Sequence, residues 1–315
     1  MTYRVKDAVE LIRFKTQTVN QLQGKAINQL FSNGDLIRQL QFALDEFARK
    51  TKCIEDIFSV TITNQEQFIA LPPLILRSKG FRFMVVYLNQ LAFPIDIQNL
   101  NNVYSTFPLN NYTGIPSWAL PWGTTDQQQI MFFPRLSQSA NVTTISSNYT
   151  PGDMVINVAS TAGFLQINGR ITVGSHKIRY QKVTATSFIG CQTVEQTEDT
   201  AHSSGESVSQ NNVWIFYYRL HSTIPINSET RIDDNVAALP LEIPNEYMNG
   251  ICDETAYQLI KKIDVQRAEA YKVDYETFIK DAEWDINQGR SSIKKTGRIR
   301  QARAWESDIL ENQMY

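Results

Sequence analysis

The side chains that could do chemistry in this chain are few and widely spaced. It holds three histidines, His176, His202 and His221, and none lies in an HExxH motif or at a ligand spacing with cysteine. Such spacings are what a zinc site requires. His176 follows a Gly-Ser turn signal and is expected on the surface, His202 lies in a Ser/Thr-rich loop, and His221 is expected in a structural role after a strand. We therefore predict no metal site.

Motifs for covalent catalysis and nucleotide binding are also missing. The sequence has no GxSxG elbow, no GxxxxGK[ST] loop and no GxGxxG turn, so it lacks the usual nucleophile and phosphate cradles. Asp233-Asp234 could bind a cation, although a cap or turn role is the simpler interpretation. Cys53, Cys191 and Cys252 are far apart and are expected to be small core residues. We predict a protein that is not an enzyme and has no cofactor; because sequence-distant residues can meet in space, an enzyme remains an alternative.

A basic segment near the C-terminus is the clearest candidate binding site. Residues 290–303 carry six cations and no acid. Such a segment binds DNA phosphates or an acidic protein groove, or is a solvated terminus. Nearby isoleucines and Trp305 favour docking on a partner, because a solvated tail gains nothing from them. The predicted partner-binding residues are Arg290, Lys294, Lys295, Arg298, Arg300, Arg303 and Trp305.

Two tryptophans offer a second candidate surface. Trp118 and Trp122 lie in the Pro- and Gly-rich stretch 108–126, which is expected to be an ordered loop. Exposed aromatic side chains on a loop can stack on sugars or on a partner protein. The simpler interpretation is that they pack the loop against a sheet. We keep both tryptophans as possible loop contacts.

Composition narrows the protein classes further. The chain has 315 residues and a formal net charge of -2, which argues against a globally basic coat for DNA. The length suggests two domains, with one still possible. No apolar run approaches the ~18 residues of a membrane span, and no secretory signal is visible at the N-terminus, so we expect a soluble protein made inside the cell.

Periodicity predicts the elements that position these residues. Helical spacing of apolar residues opens the chain, and a second helix follows residues 32–35, where Asn33 or Asp35 can cap it. Strands are expected between residues 57 and 133 and again at 213–218. Two long C-terminal helices are expected at 244–263 and 265–287, the first with Pro244 in its first turn. The second is expected to end at Gly289.

A Ser-, Thr-, Val- and Gly-rich stretch interrupts this pattern. It is expected to form a small all-β module, with a hairpin of 170–173 and 177–180 around a Gly-Ser turn. The predicted fold class is α+β: a helical host domain with a mixed-strand sheet, two long C-terminal helices and an inserted small all-β domain. The predicted domains are the host at 1–138 and 212–289, the inserted module at 139–211 and a docking tail at 290–315.

The host pattern resembles the head-to-tail adaptor, or neck and connector, proteins of tailed bacteriophages. The module is similar to a β module repeated across phage structural proteins, but after Cys191 that family often has a Gly-rich turn and here stands Gln192-Thr-Val-Glu195. The host segments that carry the resemblance are 35–47, 81–87, 213–219, 239–244 and 256–257. The module segments are 154–164, 169–174, 178–180, 184–191 and 201–205.

The resemblance implies a structural virion protein, assembled in the bacterial cytoplasm, that joins the portal to the tail. It implies a homo-oligomeric ring, commonly of twelve subunits, around the DNA passage. The partners would be the portal protein, other neck or tail proteins and passing double-stranded DNA without sequence specificity, and no membrane. Head-to-tail rings need two different complementary surfaces on each subunit. A receptor- or carbohydrate-binding tail component is the alternative.

Overall fold

The computed structural model describes residues 3–22, 31–63, 66–76, 80–97, 113–123, 128–195, 197–226 and 232–294. The chain divides into two compact units. The helical unit comprises the described residues up to Glu55 and from Tyr218 onward, and the β unit comprises Asp56–Tyr217. No helix in these described ranges is long and apolar enough to cross a membrane.

The helical unit is built around one helix that is buried on nearly every side. This helix, α4, packs against α1, α2 and α5, and its buried residues include Ile251, Cys252, Ala256 and Ile260. A helix that is buried on most of its faces lies at the centre of a bundle, even though this one carries the polar residues Asp253 and Glu254. The helices are α1 Val5–Leu22, α2 Asn33–Thr51, α3 Asp234–Ala237, the 3-10 turn Asn245–Tyr247, α4 Met248–Ile260 and α5 Val265–Lys294.

Local capping explains where α2 begins. The Ser32 hydroxyl accepts a hydrogen bond from the Asp35 backbone N–H at 3.0 Å, and the Asp35 carboxylate accepts one from the Ser32 N–H at 3.2 Å. This reciprocal capping box satisfies two backbone donors that a helix start leaves free. The residue at the cap is therefore Ser32 rather than Asn33 or Asp35.

The β unit contains a seven-stranded sheet with the strand order β1-β17-β3-β4-β6-β7-β2. Its core holds fully buried Met84, Val86, Ile130, Val213 and Ile215. The long apolar strands β3 and β17 pair antiparallel in its interior, next to the edge strand β1. The strands are β1 Glu55–Val60, β2 Phe68–Ala70, β3 Phe81–Leu88, β4 Leu91–Ile97, β6 Trp118–Gly123, β7 Gln128–Phe133 and β17 Val213–Tyr218.

Between β7 and β17 the chain forms two small sheets, which we call the module sheets. They have the orders β10-β14-β13 and β15-β12-β11-β16-β9 and enclose their own apolar cluster. The predicted boundaries of this module stay a prediction. Its strands are β9 Val142–Thr144, β10 Val155–Asn157, β11 Arg170–Val173, β12 His176–Arg179, β13 Lys182–Val183, β14 Ser187–Ile189, β15 Gln192–Thr193 and β16 Ser207–Gln210. The pair β5 Thr113–Gly114 and β8 Arg135–Leu136 forms a separate two-stranded sheet.

The predicted hairpin inside the module is confirmed. Val173 pairs with His176 across the two-residue turn Gly174-Ser175, and Gly174 has φ 59°. A positive φ at the first turn residue suits glycine and matches the twist of the strands.

The predicted fold class is wrong. The described chain is mostly β, with a seven-stranded sheet and three further sheets, and it is not a helical host domain with long C-terminal helices. The segment 244–263 forms only a 3-10 turn and the 13-residue α4. Several strands have only two or three residues, such as Lys182–Val183. Strands this short leave almost no alternation in the sequence, whereas a helix repeats its period over several turns.

A buried carboxylate joins a module sheet to the seven-stranded sheet. Glu195 accepts hydrogen bonds from Arg170 at 2.7 Å and Lys177 at 2.5 Å, both in the module. The same carboxylate accepts the Ser59 backbone N–H at 2.8 Å and the Ser59 hydroxyl, both from β1. The Arg170 and Glu195 side chains are only 9% and 8% exposed. The two positive charges and the Ser59 donors together compensate the desolvation of the carboxylate.

Removing this charge should strongly destabilise the β unit. We expect Glu195→Gln to lower the free energy of unfolding by about 3 kcal/mol, because Arg170 stays buried without its counter-charge. Urea unfolding followed by tryptophan fluorescence measures the loss. The matched control is Glu198→Gln, an exposed position in the same loop, which should change stability by less than ~0.5 kcal/mol. Equal stability of the two variants would show that the Glu195 cluster contributes little.

Candidate functional site

A groove on the surface of the helical unit is the main candidate binding site. It lies beside α5 and has a volume of about 620 Å³. Its lining combines apolar and acidic side chains, which suits a ligand that is both apolar and cationic. The lining residues are Glu246, Tyr247, Phe278, Asp281, Ala282, Asp285 and Ile286.

Close packing of α4 against α5 positions the apolar part of this groove. The Phe278 ring lies so near Gly250 that an added Cβ at Gly250 would come within 2.1 Å of it, so glycine is required there. Phe278 also stacks on Phe47, with ring centroids 6.2 Å apart, and meets the Tyr247 ring edge-on at 5.9 Å. These aromatic contacts hold the Phe278 ring in place.

The acidic part of the groove comes mainly from one helix face. Asp281 and Asp285 lie one turn apart on α5 and both are exposed. Like charges at this spacing destabilise a helix by about 0.2–0.5 kcal/mol. Burial raises the pKa of Tyr247, and the nearby charges of Glu246 and Asp285 raise it further. Among the described side chains, no cation forms an ion pair with Asp281 or Asp285.

Large apolar side chains are also exposed on the helices of this unit. Trp284, which is 62% exposed, lies on α5 three residues after Asp281, and Val273 on the same helix is 59% exposed. Phe14 on α1 and Phe42 on α2 are also exposed, at 69% and 51%. Exposed apolar side chains mark an interaction site on a soluble protein where they form one contiguous patch.

The basic segment is only partly within the described residues. Arg290 and Lys294 lie in the last turns of α5, which continues through Gly289 to Lys294, so the predicted end of the helix at Gly289 is wrong. A single glycine costs a helix only about 1 kcal/mol and does not stop it. Lys295, Arg298, Arg300, Arg303 and Trp305 lie outside the described residues.

Both candidate tryptophans lie on a strand, not in a loop. Trp118 and Trp122 belong to β6, opposite Phe133 and Gln129 of β7. Trp118 packs against a buried cluster that includes Phe133. Trp122 is 44% exposed. The stretch reads as a loop in the sequence because of its prolines, yet Pro121 lies within the strand. Their roles as contact residues stay predictions.

Two buried histidines meet inside the module. His176 Nδ1 lies 2.9 Å from His202 Nε2, and His202 Nδ1 lies 2.9 Å from a Glu206 carboxylate oxygen. His176 Nε2 lies 2.9 Å from the Thr193 hydroxyl. The two histidines are only 1% and 7% exposed, so the expectation that His176 lies on the surface is wrong. Tyr149, which packs on both imidazoles, donates to Asp199 at 2.9 Å.

The chain of contacts fixes the proton positions. The Glu206 carboxylate only accepts, so His202 carries its proton on Nδ1, and its Nε2 accepts a hydrogen bond from the Nδ1–H of His176. Hydrogen bonds from the Ser203 N–H and from His202 lower the pKa of Glu206. A proton added to His176 at Nε2 leaves the His-His hydrogen bond in place, because the Thr193 hydroxyl can then accept. Burial and the charge of His202 lower the pKa of His176, and Asp199 opposes this shift.

Other sequence candidates have structural roles. His221 donates from Nδ1 to the Ser222 carbonyl at 2.6 Å and accepts the Glu242 N–H on Nε2, which confirms its structural role. Asp233 caps α3 by accepting the Asn235 N–H, which confirms the cap interpretation. Burial raises the pKa values of the Cys191 and Cys252 thiols to about 12, as expected for small core residues.

In the part of the chain that the structure describes, no group of three or more His, Cys, Asp or Glu side chains could hold a metal ion. The chain matches no protein-family model and no curated protein. The adaptor resemblance, the absence of a metal or cofactor and the absence of enzymatic activity therefore stay predictions.

The sequence contains weak signals for what it did not predict. Asp281 and Asp285 are an acidic pair one helical turn apart, directly before an acid-free basic segment. His202 and Glu206 are also four residues apart. Neither pair identifies its distant partners, because Glu246 and His176 join them only in the folded chain.

The histidine pair should make the module less stable in acid. The unfolded chain binds a proton on His176 near pH 6.5, whereas the folded chain does so only at lower pH. Stability is therefore present above this pH and is lost as the pH falls from 7.5 to 5.5, by up to about 1.4 kcal/mol per pH unit for one proton. Hydrogen exchange of peptides from residues 142–210, corrected for intrinsic rates, measures this loss of stability.

The variant His176→Gln should remove part of this pH dependence. Restricting the measurement to the module excludes His221, whose pKa is also lowered by burial and which lies in the helical unit. Equal protection of the module at pH 7.5 and 5.5 in the unsubstituted protein would contradict the prediction.

Proposed function

We propose that this protein is a structural component of a bacteriophage virion, assembled in the host cytoplasm, that forms a ring joining the portal to the tail. The observation that carries the proposal is the acidic and apolar groove beside α5. A surface of this composition suits a protein partner. Its carboxylates attract cationic side chains of the partner, and its apolar side chains favour burial of the partner's apolar side chains.

The resemblance noted from the sequence supports the same class. Head-to-tail rings require two different complementary surfaces on every subunit. The groove is acidic and apolar, and the segment 290–303 is basic with isoleucines. The proposed partners are further copies of the chain, the portal protein and other neck or tail proteins. Double-stranded DNA, bound without sequence preference, would contact basic residues rather than this groove.

A receptor- or carbohydrate-binding tail component is the second candidate, favoured by one observation. Trp122 and Phe68 are 44% and 46% exposed. The register places Trp122 opposite Gln129 and Phe68 opposite Met131, so the two aromatic side chains share one face of the sheet. Exposed aromatic rings on a rigid strand can stack on sugars.

Native mass spectrometry of the full chain distinguishes the two candidates. We expect a single closed ring, commonly of twelve subunits, that binds purified portal protein. A trimer that binds glycans, with the binding lost in Trp122→Ala, would favour the second candidate and contradict the first. Rapid cleavage of a glycan by the purified protein would contradict both non-enzymatic proposals.

A further inference from the structure

We infer that the acidic groove binds residues 290–303 of a second copy of this chain. The inference rests on the proposed function, because it names the partner of one of the ring-forming surfaces. The groove calls for an occupant that is cationic and also carries apolar side chains. The chain contains such a segment, with six cations, no acid, and the isoleucines Ile293 and Ile299.

The charges of the two surfaces are complementary in sign and in spacing. Asp281 and Asp285 lie one helical turn apart on α5, and Glu246 lies on the same groove. Arg290 and Lys294 are also one helical turn apart on α5. Two helices with rows of opposite charge at the same interval can match charge to charge along their length. A neighbouring copy can therefore place its cations opposite these acids.

The apolar part of the groove fits the same segment. Tyr247, Phe278, Ala282 and Ile286 give the groove side chains that gain from contact with isoleucine. Phe278 is held by Phe47 and Tyr247, so it needs little ordering on binding. Pre-organisation of this kind increases affinity. Nucleic acid is a poor occupant, because phosphates are repelled by three carboxylates.

The continuity of α5 favours an occupant from a different copy. Groove residues 278–286 and the first cations belong to one continuous helix, Val265–Lys294. At about 1.5 Å per residue, Lys294 lies about 12 Å beyond Ile286 along the axis. The backbone of Arg290 and Lys294 therefore lies beyond the groove residues along the same helix. A contact from the end of one copy to the groove of the next is heterologous and builds a ring or a filament.

Two charge-reversed variants of the full chain test the inference. In the groove variant, Asp281→Lys is combined with Asp285→Lys. In the tail variant, Arg290→Glu is combined with Lys294→Glu and Arg298→Glu. We expect each variant alone to lose self-association by about 100-fold, because like charges then face each other at every contact. Sedimentation velocity at low micromolar protein and 50 mM salt measures the loss.

Mixing the two variants is the decisive step. In the mixture, every contact can again pair opposite charges, lysine grooves with glutamate tails and native grooves with native tails. We expect assemblies of alternating variants, with association restored to within about tenfold of the unsubstituted chain. The matched control is Asp274→Lys with Glu276→Lys, exposed positions on the same helix with the same charge change, which should assemble normally. Circular dichroism checks that each variant keeps its helices.

The outcomes separate the inference from the proposed function. Rings that survive both reversals overturn the groove contact and leave the proposed ring intact through another surface. Loss of assembly in both variants without recovery on mixing also overturns it, because the two surfaces then do not meet. A chain that stays monomeric at every concentration, with and without portal protein, overturns both.

Discussion

The buried carboxylate of Glu195 is the interaction on which the arrangement of the β unit depends. It accepts hydrogen bonds from two cationic side chains of the module and from the backbone N–H and hydroxyl of Ser59 on β1. The helical unit also contains a buried ion pair. Lys15 of α1 pairs with Asp253 of α4 at 2.6 Å, and both side chains are largely buried. Such pairs add little net stability compared with apolar contacts, but a wrong pairing leaves a bare buried charge. They therefore select one arrangement of segments that are distant in sequence.

Glu195 also accounts for a departure from the expected module pattern. The resemblance leads one to expect a glycine-rich turn after Cys191, and the structure gives Glu195 a positive φ of 59°. That conformation is easy for glycine and costs a side-chain-bearing residue about 1–2 kcal/mol. Here the strained residue contributes the carboxylate that reaches Ser59. The turn therefore has a backbone geometry that suits glycine and also supplies an attachment to the larger sheet.

Predictions from the sequence succeed where a few adjacent residues determine the result. The Gly174-Ser175 hairpin follows from local backbone chemistry, whereas the cap of the second helix is Ser32 and not the predicted Asn33 or Asp35. The fold class was wrong because short strands are stabilised by distant partners and leave no periodic signal. His176 was misplaced for a similar reason, since its burial depends on His202. The groove escaped prediction because Glu246 meets Asp281 only when the helices pack.

The continuity of α5 has a consequence for the size of any closed assembly. One helix carries both the groove wall and the first basic residues, so in the proposed assembly its axis would set the angle between successive copies. A ring closes only when this angle divides a full circle into a whole number of parts. Inserting residues between Ile286 and Arg290 would turn the basic residues by about 100° per residue around the axis. Such an insertion would alter the subunit number or turn the ring into an open spiral, while leaving both contact surfaces chemically unchanged.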